Sequence, residues 1–202
     1  MTTVRIAFIR HGPTDWNREK RLQGRADPPL DALGRVEVEG WTPPAEILGW
    51  PVVASPLTRT RQTAEILFGN SYLTEAALIE TNFGDWEGRR ISDLRHELGS
   101  AMTENEARGL DFQPPGGESP RQVQARVLPL LRGWAAQGGD RVCVTHKGVI
   151  RAVLAEAFDW PMTGRAPVRL NWDAVHVFTV DSDGSIVPDR LNLSMVAKEA
   201  PA

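Results

Sequence analysis

Two arginines and two histidines follow three short apolar segments of the chain. The segments are residues 4–9, 51–54 and 141–144, and the residues that follow them are Arg10, His11, Arg59 and His146. An arginine side chain binds phosphoryl oxygens through two parallel hydrogen bonds, and a neutral imidazole can attack phosphorus or donate a proton. If the three segments end at one place, these four side chains would surround an anion of phosphoryl size.

The elements that must position these residues form an α/β pattern. The three apolar segments predict strands, and helical spacing or flanking signals predict helices over residues 57–68, 91–98, 118–137 and 149–158. Ser55 is expected to cap the first of these helices, with Pro56 at its first position. Residues 72–79 are a weaker candidate for an edge strand, and residues 172–180 and 186–191 predict a hairpin.

Strands that alternate with helices predict a three-layer sandwich with a mostly parallel central sheet and an antiparallel end. We expect a single domain over residues 1–202, because no linker or composition shift divides the chain. In an open sheet of this class, ligands bind beyond the carboxyl ends of the strands. The two arginines and two histidines lie at those ends.

The composition excludes several classes of function. The chain has 202 residues, 23 Lys+Arg, 26 Asp+Glu and a net charge of −3, so no broad basic surface is available for nucleic acid or an anionic membrane. No apolar run approaches the roughly 18 residues of a membrane helix or resembles a targeting segment, and we expect a cytoplasmic protein. The single Cys143 lies in an apolar run and is interpreted as a packed strand residue.

No residue pattern indicates a metal or an organic cofactor. His96 and His176 stand alone in the sequence, and the single cysteine cannot contribute to a cluster. The first strand is followed by Arg10-His11-Gly12 rather than by a Gly-x-Gly-x-x-Gly motif, which argues against a dinucleotide-binding oxidoreductase. We therefore expect neither a metal nor another cofactor, and His176 is interpreted as an ordinary strand residue.

An ordered set of motifs resembles the histidine phosphatase superfamily, whose members have the phosphoglycerate mutase-like fold. The motifs occupy positions 10 to about 150: Arg10-His11-Gly12 with Thr14 and Trp16-Asn17, Leu22-Gln23-Gly24-Arg25-Ala26-Asp27, Ser55-Pro56-Leu57-Thr58-Arg59 with Gln62-Thr63-Ala64, Glu80 with Phe83-Gly84-Asp85-Trp86-Glu87-Gly88, Gly116-Gly117-Glu118-Ser119, and Thr145-His146-Lys147-Gly148. A bare Arg-His-Gly would be weak support, whereas this order of motifs is specific.

The resemblance implies a role for each matching residue. His11 would accept the phosphoryl group as a phosphohistidine, while Arg10, Arg59 and His146 would hold the phosphoryl oxygens. Glu80 would protonate the leaving oxygen and then activate water. The substrate-binding positions that the motifs imply are Gly12, Thr14, Asn17, Gln23, Gly24, Arg89 and Lys147. The family needs no metal.

Three points stay open from the sequence. Glu87 competes with Glu80 for the role of the acid, and we favour Glu80 because it ends an apolar run where it could be buried. Pro13 and Lys147 depart from the family pattern. Pro13 only stiffens a turn, whereas Lys147 could either add charge at the mouth of the site or point into solvent.

The resemblance covers both hydrolases and mutases. Mutases of the family carry a longer insertion before the Gly-Glu-Ser motif, and here only 29 residues (89–117) lie between Gly88 and Glu118. We therefore predict a metal-independent phosphomonoester hydrolase of the phosphatase branch that acts on a small phosphorylated metabolite. The alternatives are an α-ribazole-5′-phosphate phosphatase specifically, a phosphoglycerate mutase, or a non-catalytic phospholigand-binding protein. The partner would be a small phosphate ester, and the oligomeric state is undetermined, with a homodimer among the alternatives.

Overall fold

The computed structural model describes residues 2–197, and eight strands and seven α-helices are found in that part of the chain. The strands are β1 (Thr3–Arg10), β2 (Trp41–Thr42), β3 (Val52–Ala54), β4 (Tyr72–Thr74), β5 (Arg141–Thr145), β6 (Ala174–Asp181), β7 (Ile186–Ser194) and β8 (Val196–Ala197). The helices are α1 (Asp15–Arg18), α2 (Ala32–Glu39), α3 (Thr58–Phe68), α4 (Ile91–Leu98), α5 (Ser100–Glu106), α6 (Pro120–Gln137) and α7 (Lys147–Ala157).

Six of the strands form one sheet in the order β4-β3-β5-β1-β6-β7. The ladders from β4 to β1 are parallel, and those that join β1, β6 and β7 are antiparallel. Strands β2 and β8 form a separate antiparallel pair. The predicted mostly parallel sheet with an antiparallel end is therefore confirmed, and the pair β2–β8 was not predicted.

Helices cover both faces of the sheet, because the central strands are apolar on both sides. Ile6 and Phe8 of β1 belong to the core beneath α6 and α7, whereas Ala7 and Ile9 belong to the core on the α3 side. All four side chains are fully buried. Burying a large aliphatic or aromatic side chain contributes about 1.5–3 kcal/mol, so both layers stabilise the sheet. The three-layer sandwich is confirmed.

The register of the sheet brings the ends of β1 and β5 together. Arg10 pairs with Thr145 across the parallel ladder, and the His11 N–H donates to the Thr145 carbonyl at 3.0 Å. His11 and His146, which follow these two residues, are consequently neighbours. Strand β3 ends beside β5, with Ala54 paired to Val144, so the segment that leads to Arg59 starts at the same edge.

Two predicted helix starts and one predicted strand need correction. Ser55 does not cap α3: that helix begins at Thr58 after Leu57, since the Ser55 hydroxyl is held by a histidine at the sheet edge. Helix α7 begins at Lys147 rather than two residues later, directly after β5 and the extended His146. The edge strand in residues 72–79 is confirmed only for β4, and a 3₁₀ turn at Ala76–Leu78 follows it.

The other predicted elements agree with the structure within a few residues. Helix α4 has its predicted bounds. Helix α6 starts at Pro120 because Ser119 and Gln122 form a capping box, in which each side chain binds the other residue's backbone N–H. Strands β6 and β7 form the predicted hairpin. No helix between residues 2 and 197 combines the length and apolar character that crossing a membrane requires.

Candidate active site

A cavity of about 570 Å³ opens at the carboxyl ends of β1, β3 and β5. Eight residues that the sequence singles out line it: Arg10, His11, Asn17, Gln23, Gly24, Arg59, Glu80 and Lys147. His146 is not among the residues that line the cavity, but its ring centre lies 5.2 Å from that of His11. The tertiary structure therefore brings together residues that are up to 137 positions apart (Arg10 to Lys147).

A hydrogen bond to the backbone determines which ring nitrogen of His11 carries the proton and which carries the lone pair. Its Nδ1 lies 2.7 Å from the carbonyl oxygen of Gly12, which can only accept, so Nδ1 carries the proton and Nε2 carries the lone pair. Burial and the charges of Arg10 and Arg59 hold the pKa of His11 well below its usual 6.5. The ring is therefore neutral at physiological pH, with a nucleophilic nitrogen at Nε2.

Gly12 allows this arrangement by its lack of a side chain. A Cβ at this position would lie 2.3 Å from Cγ2 of Val38 in α2, which packs against the turn. The Gly12 N–H donates to the Thr63 hydroxyl of α3 at 3.0 Å. The turn that carries His11 is thus held from two helices.

His146 is fully buried and is held by the Ser55 hydroxyl, 2.7 Å from its Nε2. Its Nδ1 is buried and has no hydrogen-bond partner among the described residues. Burial lowers the pKa of His146 well below its usual 6.5, and His11, Arg59 and Arg10 lower it further. Because the Ser55 hydroxyl oxygen already accepts from the Leu57 N–H at 3.4 Å, we assign the hydroxyl proton to the bond with Nε2, and the neutral ring then keeps Nδ1–H as an unused donor.

The two arginines also have unused donors. Arg59 is fully buried, and its terminal nitrogens donate to the carbonyls of Ala26 at 2.8 Å and Gly24 at 2.9 Å. The Nε atoms of both Arg59 and Arg10 are buried without a partner in the described residues. A buried N–H that lacks an acceptor costs about 1–3 kcal/mol, so these groups indicate a place where an anion binds.

Glu80 is 7% exposed and is held at the N-terminus of α7. One carboxylate oxygen accepts from the Thr81 N–H at 2.7 Å, and the other accepts from the Gly148 N–H at 3.3 Å. A Cβ on Gly148 would lie 2.3 Å from Oε1 of Glu80, so the carboxylate reaches this place only because residue 148 is glycine. Glu80 raises the pKa of both Arg10 and Arg59 against the lowering by burial, because its charge lies near both guanidinium groups.

Glu87, the competing carboxylate, has a different place. It does not line the cavity, and its two oxygens accept from the N–H groups of Arg25 at 2.8 Å and Ala26 at 2.9 Å. Gly24 lies so close that a Cβ there would be 2.0 Å from the Glu87 carboxylate. Glu87 therefore binds backbone N–H groups of the same loop whose carbonyl groups bind Arg59. We interpret Glu87 as a residue that supports the site.

Three residues predicted to bind substrate lie elsewhere. Gly12 and Thr14 are buried and do not line the cavity: Thr14 caps α1 and shares a capping box with Asn17, which positions Asn17 at the cavity. Arg89 is exposed and pairs with Glu97, so we do not include it in the site. Arg89 therefore does not line the cavity, where the motifs had placed it, because its side chain pairs with a surface carboxylate.

Lys147 lies at the mouth of the cavity. The sequence left open whether its side chain adds charge there or points into solvent, and the structure shows the first of these two positions. Its Nζ is 5.1 Å from the centre of the Trp172 ring. Burial lowers the pKa of Lys147, and the charges of Arg10 and Arg151 lower it further while Glu80 opposes them. Lys147 thus adds a cation to a cavity wall that already carries Arg10, Lys20, Arg21, Arg59 and Arg151.

Several cavity residues were missed by sequence reasoning: Thr81, Phe112, Arg151 and Met162. Arg151 had a detectable signal, because it follows Lys147 by four residues and so lies on the same face of a helix that starts at residue 147. Phe112 had none, since it comes from the polar stretch after α5. His176 is a fully buried residue of β6, and Cys143 is fully buried in β5, as predicted.

The described residues contain no group of three or more His, Cys, Asp or Glu side chains close enough to hold a metal ion. The positive charge at the cavity comes from side chains. Arg10 and Arg59 supply it near the buried carboxylate of Glu80, and Lys20, Arg21, Lys147 and Arg151 supply it elsewhere on the cavity wall.

Comparisons with known proteins show the family and the fold of the chain. The profile of the histidine phosphatase superfamily (branch 1) matches residues 6–192. The probable phosphoglycerate mutase GpmB of Escherichia coli is 30% identical over 173 residues, which are 83% of this chain and 80% of that protein. The structure of the mycobacterial glucosyl-3-phosphoglycerate phosphatase is similar with a TM-score of 0.77 and 27% identity, over 95% of this chain and 100% of that one. TTHB049 from Thermus thermophilus is 32% identical, with a TM-score of 0.69 over 95% of this chain and 100% of that one. The chain therefore belongs to the histidine phosphatase superfamily and has its phosphoglycerate mutase-like fold.

Proposed function

We propose that the protein is a phosphomonoesterase that hydrolyses a small phosphate ester through a phosphohistidine at His11, without a metal ion. One observation carries the proposal: three buried nitrogens without hydrogen-bond partners belong to residues that lie around the neutral imidazole of His11. These nitrogens are the Nε atoms of Arg10 and Arg59 and the Nδ1 atom of His146. A phosphoryl group gives each donor an acceptor and gives the nucleophile its target.

In the first step the Nε2 lone pair of His11 attacks phosphorus, and the bond from phosphorus to the leaving oxygen breaks. Glu80 gives its carboxyl proton to that oxygen, so the product leaves as a neutral alcohol. The guanidinium groups of Arg10 and Arg59 bind the equatorial oxygens, whose charge they oppose throughout the transfer. The result is a phosphohistidine at His11 and a carboxylate at Glu80.

In the second step water attacks phosphorus from the side that the alcohol has left. The Glu80 carboxylate takes a proton from this water, and the bond between phosphorus and Nε2 breaks. The lone pair returns to His11, inorganic phosphate leaves, and Glu80 is protonated again. The Gly12 carbonyl holds the Nδ1 proton through both steps, so the ring returns to its starting tautomer.

Two observations support hydrolysis over transfer to a second substrate. Only 29 residues (89–117) connect Gly88 to Glu118, which leaves little chain to close over the cavity and exclude water. The mycobacterial neighbour is a phosphatase by name. The likeness to a probable phosphoglycerate mutase favours the second candidate function, a mutase that returns the phosphoryl group to a sugar acid.

The test is phosphate release from a panel of esters in the presence of a chelator. The panel contains an aryl phosphate, α-ribazole phosphate, 3-phosphoglycerate, a sugar bisphosphate and a nucleoside monophosphate. We expect release by the wild type and by His96→Ala, which removes an exposed imidazole on α4, and none by His11→Ala. Acid-labile phosphate trapped on the wild type and absent from His11→Ala identifies the intermediate. A well-folded wild type that releases nothing and traps nothing contradicts the proposal.

Two further measurements separate the alternatives. Glu80→Gln should reduce kcat/KM for alkyl esters far more than for aryl esters, whereas Glu87→Gln should not make this distinction. Interconversion of 2- and 3-phosphoglycerate that depends on a bisphosphoglycerate primer would establish the mutase. Tight phosphate binding with neither release nor transfer would establish a binding protein.

A further inference from the structure

A second cavity of about 580 Å³ adjoins the first one at the outer end of α7. It lies between α7 and the segment that leads from α7 into β6. Its walls are Lys147, Arg151, Leu154, Arg165, Ala166, Val168, Arg169, Leu170 and Trp172. The motifs that point to the family end at about residue 150, so none of them involves its outer wall, which residues 165–170 form.

This cavity is cationic and contains no acidic residue. Its charged wall residues are Lys147, Arg151, Arg165 and Arg169. None of these four side chains forms an ion pair or a hydrogen bond with a carboxylate between residues 2 and 197. Many other arginines of the chain are paired, for example Arg121 with Asp111. What distinguishes this cavity is that four cations without a carboxylate partner line it together and no acidic residue lies among them.

Two of these cations are held in place by aromatic rings. The Arg151 guanidinium lies 5.1 Å from the centre of the Trp160 ring, and the Lys147 Nζ lies at the same distance from the centre of the Trp172 ring. Burial alone lowers the pKa of Arg151, and no carboxylate opposes it. A half-buried cation without a counterion is unfavourable, and a bound anion relieves that cost.

The second cavity is joined to the catalytic one by shared residues. Lys147 and Arg151 line both cavities. The Trp172 ring of the second cavity also lies 5.8 Å from the Arg10 guanidinium, which belongs to the phosphoryl site. A single molecule can therefore place one end against Arg10 and His11 and the other end against the outer arginines.

We propose that the second cavity binds a second anionic group, a carboxylate or a phosphate, carried by the leaving group of the same phosphomonoester. The substrate is then a metabolite with an anionic group at each end. Its phosphate is transferred to His11, and its second anionic group is bound by Arg165, Arg169 and the two cations that both cavities share. This inference rests on the proposed function, because it names the class of ester that the phosphatase hydrolyses.

The test uses matched esters that differ only in the charge at the far end. Phosphate monoesters of ω-hydroxy acids with chains of increasing length are compared with the corresponding primary amides, and a parallel series carries a terminal phosphonate. We expect the charged ester to exceed its amide by about tenfold in kcat/KM at one chain length, mainly through KM, since a hydrogen bond to a charged group is involved. The series with the larger ratio identifies carboxylate or phosphate as the preferred group.

The variant Arg165→Gln/Arg169→Gln should reduce this ratio to about one. Arg35→Gln removes one exposed arginine on α2 outside both cavities, and its ratio should equal that of the wild type. Equal rates for acid, phosphonate and amide at every length overturn the proposal, as does a ratio that persists in the double variant. Calorimetric binding of the same esters to His11→Ala tests the second cavity without turnover. If the wild type hydrolyses none of the esters but His11→Ala still binds the charged ester more tightly than its amide, only the proposed function is contradicted. If the wild type hydrolyses the charged ester and its amide equally well, only this inference is contradicted.

Discussion

The position of Glu80 depends on the absence of a side chain at Gly148, which makes Gly148→Ala a sharp test of the acid's role. Gly148 is the second residue of α7, where alanine is compatible with the backbone and favours the helix by up to about 1 kcal/mol. The added Cβ, however, would lie 2.3 Å from both Oε1 of Glu80 and Oγ1 of Thr81.

The size of the effect follows from these distances. Ordinary van der Waals contact needs about 3.4 Å, so the Glu80 carboxylate must move by about 1 Å. A misplacement of this size in a catalytic group reduces the rate about hundredfold. The loss should concern the transfer step for alkyl esters, whose leaving oxygen needs a proton. An aryl ester such as 4-nitrophenyl phosphate leaves without one, so its kcat/KM should change by less than about threefold.

The assay is kcat/KM for an alkyl and an aryl phosphate, because this parameter reports the first phosphoryl transfer to His11. Gly133→Ala is the matched control: it is also a glycine inside a helix, α6, and no atom lies within 4 Å of its added Cβ. The control should keep both rates and unfold at a slightly higher temperature. An equal loss for both esters, or no loss in a folded Gly148→Ala protein, would refute the assignment of Glu80 as the acid.

Three further predictions follow from the supports of the site. Ser55→Ala removes the hydrogen bond that holds the His146 ring, so calorimetry should show inorganic phosphate binding weakened about tenfold; unchanged binding would contradict the tautomer derived for this ring. Glu87→Gln should lower the free energy of unfolding in urea by about 1–2 kcal/mol and should reduce kcat/KM for aryl and alkyl esters by the same factor, because it loosens a loop and removes no acid. Burial lowers the pKa of His176 to about 4, so below pH 6.5 the unfolded chain binds a proton that the folded protein does not, and stability falls as the pH falls. Between pH 6.5 and pH 5 this amounts to roughly 2 kcal/mol, and His176→Gln should lose that part of the pH dependence in urea unfolding; an identical pH dependence would count against it.

The fold class and the inner part of the candidate site could be predicted from the sequence. Strands β1, β3 and β5 have apolar residues on both faces, which is typical of strands covered by helices on both sides. Because the carboxyl ends of parallel strands lie at one edge, residues directly after them must converge. Arg10, His11, Arg59 and His146 were located by this reasoning, and the family motifs extended it to Glu80.

The outer part of the site was decided by contacts between distant segments. Glu80 and Glu87 are equivalent in type, and only the structure shows that one lines the cavity while the other binds backbone N–H groups of the loop at residues 25 and 26. In the same way, Arg89 pairs with Glu97, whereas the Lys147 side chain lies over the Trp172 ring at the cavity mouth. The local sequence does not distinguish these outcomes.

What the sequence by itself determined about this protein is therefore the chemistry and its strand-end positions. Apolar periodicity and motif order are local properties, and they suffice for the sheet and for His11, Arg10 and His146. The tertiary structure decided the direction of each long polar side chain, the support of His146 by Ser55, and the second cationic cavity. The physical reason is that a flexible charged side chain follows the nearest partner in space, and that partner comes from a part of the chain that the local pattern does not specify.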